Sequence, residues 1–281
     1  ISFSEDAYSL GMTLASNAFD TDVLRFSYTS MTTPTEAYDY NMATRKRTLM
    51  KRSDPPGGFD SSKYETKRVW APARDGKTMI PVTLLYKKGL KRDGKAPVFL
   101  WGYGSYGLSY MPSFAPNRFC LVDRGFVFAV AHIRGGKEMG YNWYLDGKLD
   151  RKMNTFTDFI DCAEHLIAEE YTSTGNITAF GGSAGGMLMG AVANMRPDLF
   201  KGIIASVPFV DVTTTMLDDS LPLTKGEYNE WGNPAESRDV YDRLMAYSPY
   251  DNVEKKAYPN MFITGGLNDY RVTYWEPLKW I

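Results

Sequence analysis

The chain opens on β patterning. VLRFSYTS (residues 23–30) alternates apolar and polar positions with a period of two, the spacing that turns one face of a strand inward. TEAYDYNMAT (35–44) alternates less cleanly, and KRTLMK (46–51) follows after a short turn. Closely spaced strands joined by Thr, Pro and Asn turns predict a meander or a single propeller blade, and no second repeat accompanies it. Asp54-Pro55-Pro56-Gly57-Gly58 then breaks the pattern and is the expected linker.

From about residue 65 the rhythm changes. ETKRVWAPA and MIPVTLLYKK read as paired strands, with Asp75-Gly76 as the turn between them. Five apolar runs follow as buried-strand candidates: APVFLWG (96–102), GFVFAVAHI (125–133), NITAFGG (176–182), GIIASVP (202–208) and PNMFITGG (259–266). Helical periodicity appears between them. Over 155–171 it places Phe156, Phe159, Cys162, Ala163, Leu166 and Ile167 on one face, with Thr155 as the expected cap. Residues 184–196 read as a second helix. Strands alternating with helices predict an α/β fold with a mostly parallel sheet.

The elbow between one such strand and its helix carries the clearest chemistry. Gly181-Gly182-Ser183-Ala184-Gly185-Gly186 is G-x-S-x-G in a strand–turn–helix context. A serine in that turn sits where strand and helix nearly touch, so the positions two before and two after it have no room for a side chain. The helix that follows aims its free N–H groups at the reacting oxygen. Ser183 is therefore the expected nucleophile, with the Ala184 N–H as one oxyanion donor.

Two motifs point elsewhere and are set aside. Gly102-Tyr103-Gly104-Ser105-Tyr106-Gly107 matches a dinucleotide fingerprint, but that fingerprint needs a helix starting at the glycines. Here the chain continues into LSYMPSFAPN, which has two prolines and no helical period. In an α/β-hydrolase the loop after an earlier strand supplies the second oxyanion donor, a task the Tyr103 hydroxyl can perform. The two histidines, His132 and His165, and the two cysteines, Cys120 and Cys162, have no metal-ligand spacing, so no metal and no cofactor is expected.

In this fold the triad runs Ser, acid, His along the chain. Asp269 follows an apolar strand and two glycines and is the expected acid; Asp251 competes, but follows a Ser-Pro-Tyr turn. No histidine follows Asp269. The base that must accept the serine proton is thus expected outside these residues, and the chain alone is expected to be nearly inactive.

Composition changes this picture little. The 281 residues lie near the upper limit for one core. A formal net charge of −1 argues against nucleic-acid and membrane-surface partners. No apolar run approaches the roughly 20 residues of a membrane span. The start, ISFSEDAYSL, lacks both an initiator Met and the pattern of a secretory signal, so the chain reads as a piece of a longer protein. Two cysteines make no disulfide framework, which favours a cytoplasmic setting, and Cys162 reads as a small buried hydrophobe.

WGYGSYG, AHIRGGKEMG, GGSAGGMLMGAVANMRPDLF, GEYNEWGNP and GGLNDYRVTYWEP, in that order, resemble the prolyl oligopeptidase family, and within it the oligopeptidase B branch. The resemblance covers nearly all of residues 65–281. It implies an α/β-hydrolase domain over 61–281, incomplete at its C-terminus, preceded in 1–60 by the end of a β-propeller that admits only short peptides. It also implies roles for matching residues: Ser183 as nucleophile, Asp269 as acid, Tyr103 beside the Ala184 amide at the oxyanion, and Arg271 on a substrate carbonyl. Glu227 falls where proline-cleaving relatives carry a tryptophan and where the oligopeptidase B branch places a Glu that receives Arg or Lys. Glu230 and Tyr106 are further substrate-binding candidates. Some bacterial relatives carry acidic residues just after the Gly-rich loop, where this chain reads Tyr110-Met111-Pro112-Ser113, so a preference for two basic residues is not expected.

The resulting expectation is a serine endopeptidase that cuts short peptides after Arg or Lys, partnered by the remainder of its own polypeptide. A different hydrolase on the same fold, such as an acylaminoacyl peptidase or carboxylesterase, and a catalytically inert fragment are the alternatives.

Overall fold

The computed structural model describes residues 1–12 and 19–281. They divide into two compact units: Ile1–Val69, Thr83–Leu90 and Met111–Phe128 in one, and Trp70–Val82, Lys91–Tyr110 and Ala129–Ile281 in the other.

The first unit contains a four-stranded antiparallel meander: β1 (Tyr8–Met12), β2 (Val23–Ser30), β3 (Glu36–Asn41) and β4 (Arg47–Arg52), in that spatial order. Strand β2 coincides with the alternating run read from the sequence, and Phe26, Tyr28 and Ser30 are its buried positions. Strand β1 was not anticipated as a separate strand. YSLGM does not alternate cleanly, and the pairing of β1 with β2 defines it. An aromatic stack covers one face, with the Phe3 and Tyr28 ring centroids 3.7 Å apart. Glu5 gathers the hydroxyls of Ser30 (2.6 Å) and Thr32 (2.7 Å) and closes the end of the meander. The segment 54–58 holds no strand or helix, and both Gly57 and Gly58 have positive φ.

The larger sheet has the order β11-β10-β9-β7-β8-β6-β5. Its members are β5 (Tyr64–Pro72), β6 (Met79–Lys87), β7 (Val98–Trp101), β8 (Val127–Ala131), β9 (Ile177–Gly182), β10 (Phe200–Ser206) and β11 (Asn260–Thr264). Each falls on an apolar run anticipated above. Strands β7, β9, β10 and β11 pair in parallel, as strands joined through helices must.

Eight helices occur among the described residues: α1 (Phe119–Val122), α2 (Tyr141–Leu145), α3 (Met153–Ala168), α4 (Ala184–Met195), α5 (Val212–Leu217), α6 (Thr224–Trp231), α7 (Arg238–Tyr247) and α8 (Trp275–Trp280). Helix α4 packs on β9, β10 and α3 and is buried over most of its length. Helix α3 buries Phe156, Phe159, Cys162, Ala163 and Leu166 of the predicted stripe and leaves its last member, Ile167, half-buried near the helix end. Its cap is not Thr155. The helix starts at Met153, and the Thr155 hydroxyl instead donates to the Arg134 carbonyl at 2.8 Å. A buried hydroxyl facing a loop carbonyl gains more from that bond than from capping a turn that is already hydrogen-bonded.

Candidate active site

Ser183 stands between β9 and α4 at φ 56° and ψ −120°. A non-glycine residue there is strained, and the surrounding bonds hold it in place. Its N–H donates to the Ser206 carbonyl at 2.9 Å, and its own carbonyl accepts from Gly186 (2.8 Å), Met187 (3.2 Å) and Phe209 (3.1 Å). The flanking glycines are required by crowding. A Cβ on Gly181 would lie 2.2 Å from the Gly185 carbonyl oxygen, and one on Gly185 would lie 3.0 Å from that of Gly102. As the first residue of α4, Ala184 has no helical carbonyl a turn earlier to receive its N–H.

The loop after β7 brings Tyr103 to the same place. No helix starts at its glycines, so the geometry a bound pyrophosphate needs is not present there. Tyr103 lines the same cavity as Ser183, and burial raises its pKa, so its hydroxyl stays protonated as a donor. Ser183, Tyr103, Tyr106, Glu227 and Arg271 all line one cavity of about 360 Å³, whose apolar wall includes Phe209 and Met216. A serine hydroxyl, two tyrosine hydroxyls, a guanidinium and a carboxylate thus share one solvent-accessible recess.

Glu227 is half-buried on α6. Its Oε2 accepts from the Tyr106 hydroxyl (2.8 Å) and the Trp231 indole N–H (2.7 Å), which fixes the carboxylate and leaves Oε1 for a ligand. Hydrogen bonding to Glu227 and burial together push the Tyr106 phenol well above its usual range, with burial the larger cause. Glu230, one turn on, is not on the cavity wall. It is 3% exposed, and both of its oxygens are committed, Oε1 to the Tyr106 N–H (2.9 Å) and Oε2 to the Tyr144 hydroxyl (2.6 Å). It supports the loop and α2 from behind.

Asp269 lies in the turn after β11, with Oδ1 accepting from the N–H groups of Arg271 (2.9 Å) and Val272 (3.1 Å). Its Oδ2 has no hydrogen-bond partner among the described residues and remains available. The competitor Asp251 lies in an exposed 3₁₀ turn, Tyr250–Asn252, and is not part of the cavity wall. Neither histidine lines the cavity. His132 is buried with Nδ1 3.4 Å from Glu138 Oε1, and His165 lies half-buried on α3, where burial lowers its pKa. Among the described residues no cluster of three or more His, Cys, Asp or Glu side chains could hold a metal, and no helix is long and apolar enough to cross a membrane.

Several participants were missed by sequence reasoning. Trp231 and Tyr144 hold the two glutamates, and Lys152 holds the loop of Tyr103. Glu276 on α8 lines the cavity at 1% exposure and accepts from the Val210 N–H (2.8 Å), the Asp211 N–H (3.1 Å) and the Thr215 hydroxyl (2.7 Å). Burial pushes its carboxyl up to about 7. No local signal marks any of these four. Each becomes informative only through neighbours distant in sequence.

This constellation has counterparts. The pattern of the prolyl oligopeptidase family matches residues 112–281, and that of the prolyl oligopeptidase N-terminal beta-propeller domain matches residues 1–53. Dipeptidyl aminopeptidase BI of Pseudoxanthomonas mexicana is 57% identical over 99% of this chain and 38% of its own length. Protease 2 of Moraxella lacunata is 47% identical over 100% of this chain and 40% of its own. The structure of oligopeptidase B from Leishmania major superposes with a TM-score of 0.92 at 45% identity, covering 99% of this chain and 39% of that one. Oligopeptidase B from Trypanosoma brucei, with covalently bound antipain, gives 0.93 at 46% identity, covering 99% and 39%. The chain therefore spans about two fifths of the length of the relatives it matches. An α/β-hydrolase sheet with a strained serine at its elbow, a propeller-type meander ahead of it, and relatives that share both over nearly every residue place this chain in the prolyl oligopeptidase family of serine peptidases.

Proposed function

We propose that the chain is the nucleophile-bearing part of a serine endopeptidase that hydrolyses short peptides on the carboxyl side of Arg or Lys. The observation that carries this reading is Glu227. A carboxylate held through Oε2 by Tyr106 and Trp231 faces the cavity that contains Ser183. A guanidinium or ammonium in the recess would meet a fixed charge with an oxygen to spare. A neutral side chain would leave that charge unpaired at a cost of about 2–5 kcal/mol. An acylaminoacyl peptidase or carboxylesterase has no use for such a group, which makes those readings weaker.

In the proposed reaction the Ser183 hydroxyl attacks the scissile carbonyl carbon. The oxygen that gains charge receives hydrogen bonds from the Tyr103 hydroxyl and the Ala184 N–H. Arg271, exposed on the cavity wall, binds a substrate main-chain carbonyl. The amine leaves, and water then hydrolyses the acyl-enzyme by the same route. The serine proton needs an acceptor. We assign that role to a histidine outside these residues, with its N–H resting on the free Oδ2 of Asp269. Without it, turnover by the 281 residues alone is expected to fall by on the order of 10⁶. The substrates and the cytoplasmic location belong to this proposal.

A second reading, release of dipeptides from a free amino terminus, is favoured by the name of the Pseudoxanthomonas relative. One experiment separates the readings. Fluorogenic peptides ending in Arg, Ala or Pro, each with a blocked or a free amino terminus, are offered to the chain alone and to a polypeptide that extends it with a histidine-bearing segment. Cleavage of the blocked Arg peptide by the extended form alone supports the endopeptidase. Cleavage only of free dipeptide substrates supports the second reading. Equal cleavage after Arg and Ala removes Glu227 from the specificity.

A further inference from the structure

We propose that Lys152 is the positioning residue for Tyr103: its buried ammonium clamps the loop after β7 and so sets where the tyrosine hydroxyl stands relative to Ser183. The proposal rests on the serine-peptidase reading above.

Lys152 is 0% exposed and makes no ion pair with a carboxylate among the described residues. An ammonium with no paired anion is costly to bury unless all of its donors are used. Here all three are, on the Gly104 carbonyl (2.6 Å), the Ser105 hydroxyl (2.9 Å) and the Gly147 carbonyl (3.2 Å). Gly104 directly follows Tyr103, so the shortest of these bonds fixes the Gly104–Ser105 peptide unit, the one after the tyrosine's own.

Lys152 makes the shortest bond at Gly104, and elsewhere the loop is held by the Gly102 N–H on the Phe180 carbonyl (3.1 Å), the Tyr106 N–H on Glu230 Oε1 (2.9 Å) and the Gly107 N–H on the Gly135 carbonyl (3.0 Å). The loop contains no regular structure, and Gly104 (φ 72°) and Tyr106 (φ 58°) both sit in the left-handed region. The backbone is also crowded. A Cβ on Gly135 would lie 2.0 Å from the Gly104 carbonyl oxygen, and one on Gly147 would lie 2.0 Å from the Gly135 nitrogen. Two carbonyl dipoles, of Gly104 and Gly147, therefore point at one small volume and repel each other unless a cation sits between them. Lys152 is that cation. Its Nζ also lies 5.0 Å from the Trp231 ring, the same ring whose N–H holds Glu227. A buried charge needed only for bulk packing is replaceable by an apolar side chain of equal length; one that separates converging carbonyls is not.

The consequence is specific to the charged oxygen of the reaction. The test compares two peptides at equilibrium with the 281-residue chain at pH 6, below the pKa of about 7 at which the buried ammonium loses its proton, one ending in argininal and one in argininol. The aldehyde can form a hemiacetal: the Ser183 Oγ–carbon bond forms, the C=O π bond opens, and the serine proton passes through water to the former carbonyl oxygen. The alcohol has no such bond to open and reports ground-state binding alone. The affinity ratio of aldehyde to alcohol thus reads stabilisation at the oxygen and needs no catalytic base.

The ratio is expected to be about 10² or more in the unmodified chain. Lys152→Met should lower it at least about tenfold while moving argininol affinity by less than about threefold, and Tyr103→Phe should lower it similarly. In Lys152→Met the further change Tyr103→Phe should then cost almost nothing, because the two act as a unit. Ser105→Ala removes one partner of the ammonium without touching the charge. It should lower the ratio by about threefold, and it decides the matter if circular dichroism shows that Lys152→Met does not fold. An unchanged ratio in a folded Lys152→Met chain, or losses that multiply in the double variant, overturns the proposal alone. No aldehyde preference in the unmodified chain, or one that survives Ser183→Ala, overturns the serine-peptidase reading and the clamp with it.

Discussion

The elbow of Ser183 and the carboxylate wall on α6 serve one cavity but are built in opposite ways. At the elbow a strand, two crowded glycines, the serine and the first N–H of a helix lie within ten residues, and only the bonds to Ser206 and Phe209 and the contact with Gly102 come from elsewhere. The wall is assembled from α6, the loop after β7 and α2, with Glu227 held by Tyr106 and Trp231, and Glu230 by Tyr106 and Tyr144. The difference teaches that the elbow is built mostly from contiguous residues, whereas the carboxylate is set in place by several distant segments; on the function proposed above, bond making would be local and side-chain recognition distributed. Changes to the elbow should therefore be all-or-none, and changes to the wall graded and selective.

The largest effect tests the elbow. In a polypeptide that supplies the histidine, Ser183→Ala should lower kcat by on the order of 10⁶ for every substrate alike; any residue of activity that still prefers Arg would move the nucleophile elsewhere. Gly185→Val should come next. Its side chain has only 3.0 Å to the Gly102 carbonyl, so thermal melting should show a loss of about 3 kcal/mol or more, or no folded protein.

On the wall, Glu227→Gln should cost the Arg substrate about 10²-fold in kcat/KM and leave the Ala substrate within a few-fold. A uniform loss would mean that Glu227 only braces Tyr106. A pH series sharpens the same contrast. Burial lowers the Lys152 pKa from 10.5 to about 7. Between these values the unfolded chain binds a proton that the folded chain lacks, so stability contributed through this group rises with pH, by on the order of 1 kcal/mol per pH unit. Denaturant unfolding at pH 7, 8 and 9 should show that slope in the unmodified chain and a flatter one in Lys152→Met. The smallest change expected is Tyr144→Phe. It removes one hydrogen bond to the buried Glu230, worth about 1–3 kcal/mol in stability, with a few-fold rise in KM for the Arg substrate.

How much of this was legible follows the same division. The five apolar runs of the larger sheet appear where sequence places them, because a buried strand must be apolar whatever its neighbours are, and the other two strands, β5 and β6, appear as the pair flanking the Asp75-Gly76 turn. Of the meander strands, β2 and less cleanly β3 were legible through alternation and β4 through the turn before it, whereas β1 depends on its partner and was not. Helix α3 was read correctly on its buried face and wrongly at its start. The stripe is a property of the helix itself, but the cap was decided by a carbonyl of Arg134, distant in sequence. Glu227 and Glu230 look equivalent in GEYNEWG, yet the fold turns one to the cavity and locks the other behind it.

By itself, then, the sequence determined the strand–helix alternation, the elbow that carries Ser183, and the resemblance that named the family. All of these rest on short-range sterics and on contiguous motifs. Only the tertiary structure decided which carboxylate faces the ligand, that Lys152 is buried beneath the loop of Tyr103, that Glu276 reaches the cavity, and that neither histidine does. Those outcomes depend on which donors meet which acceptors once distant segments pack, and a lysine in a basic run or a glutamate in a polar helix carries no local mark of the partner it will find.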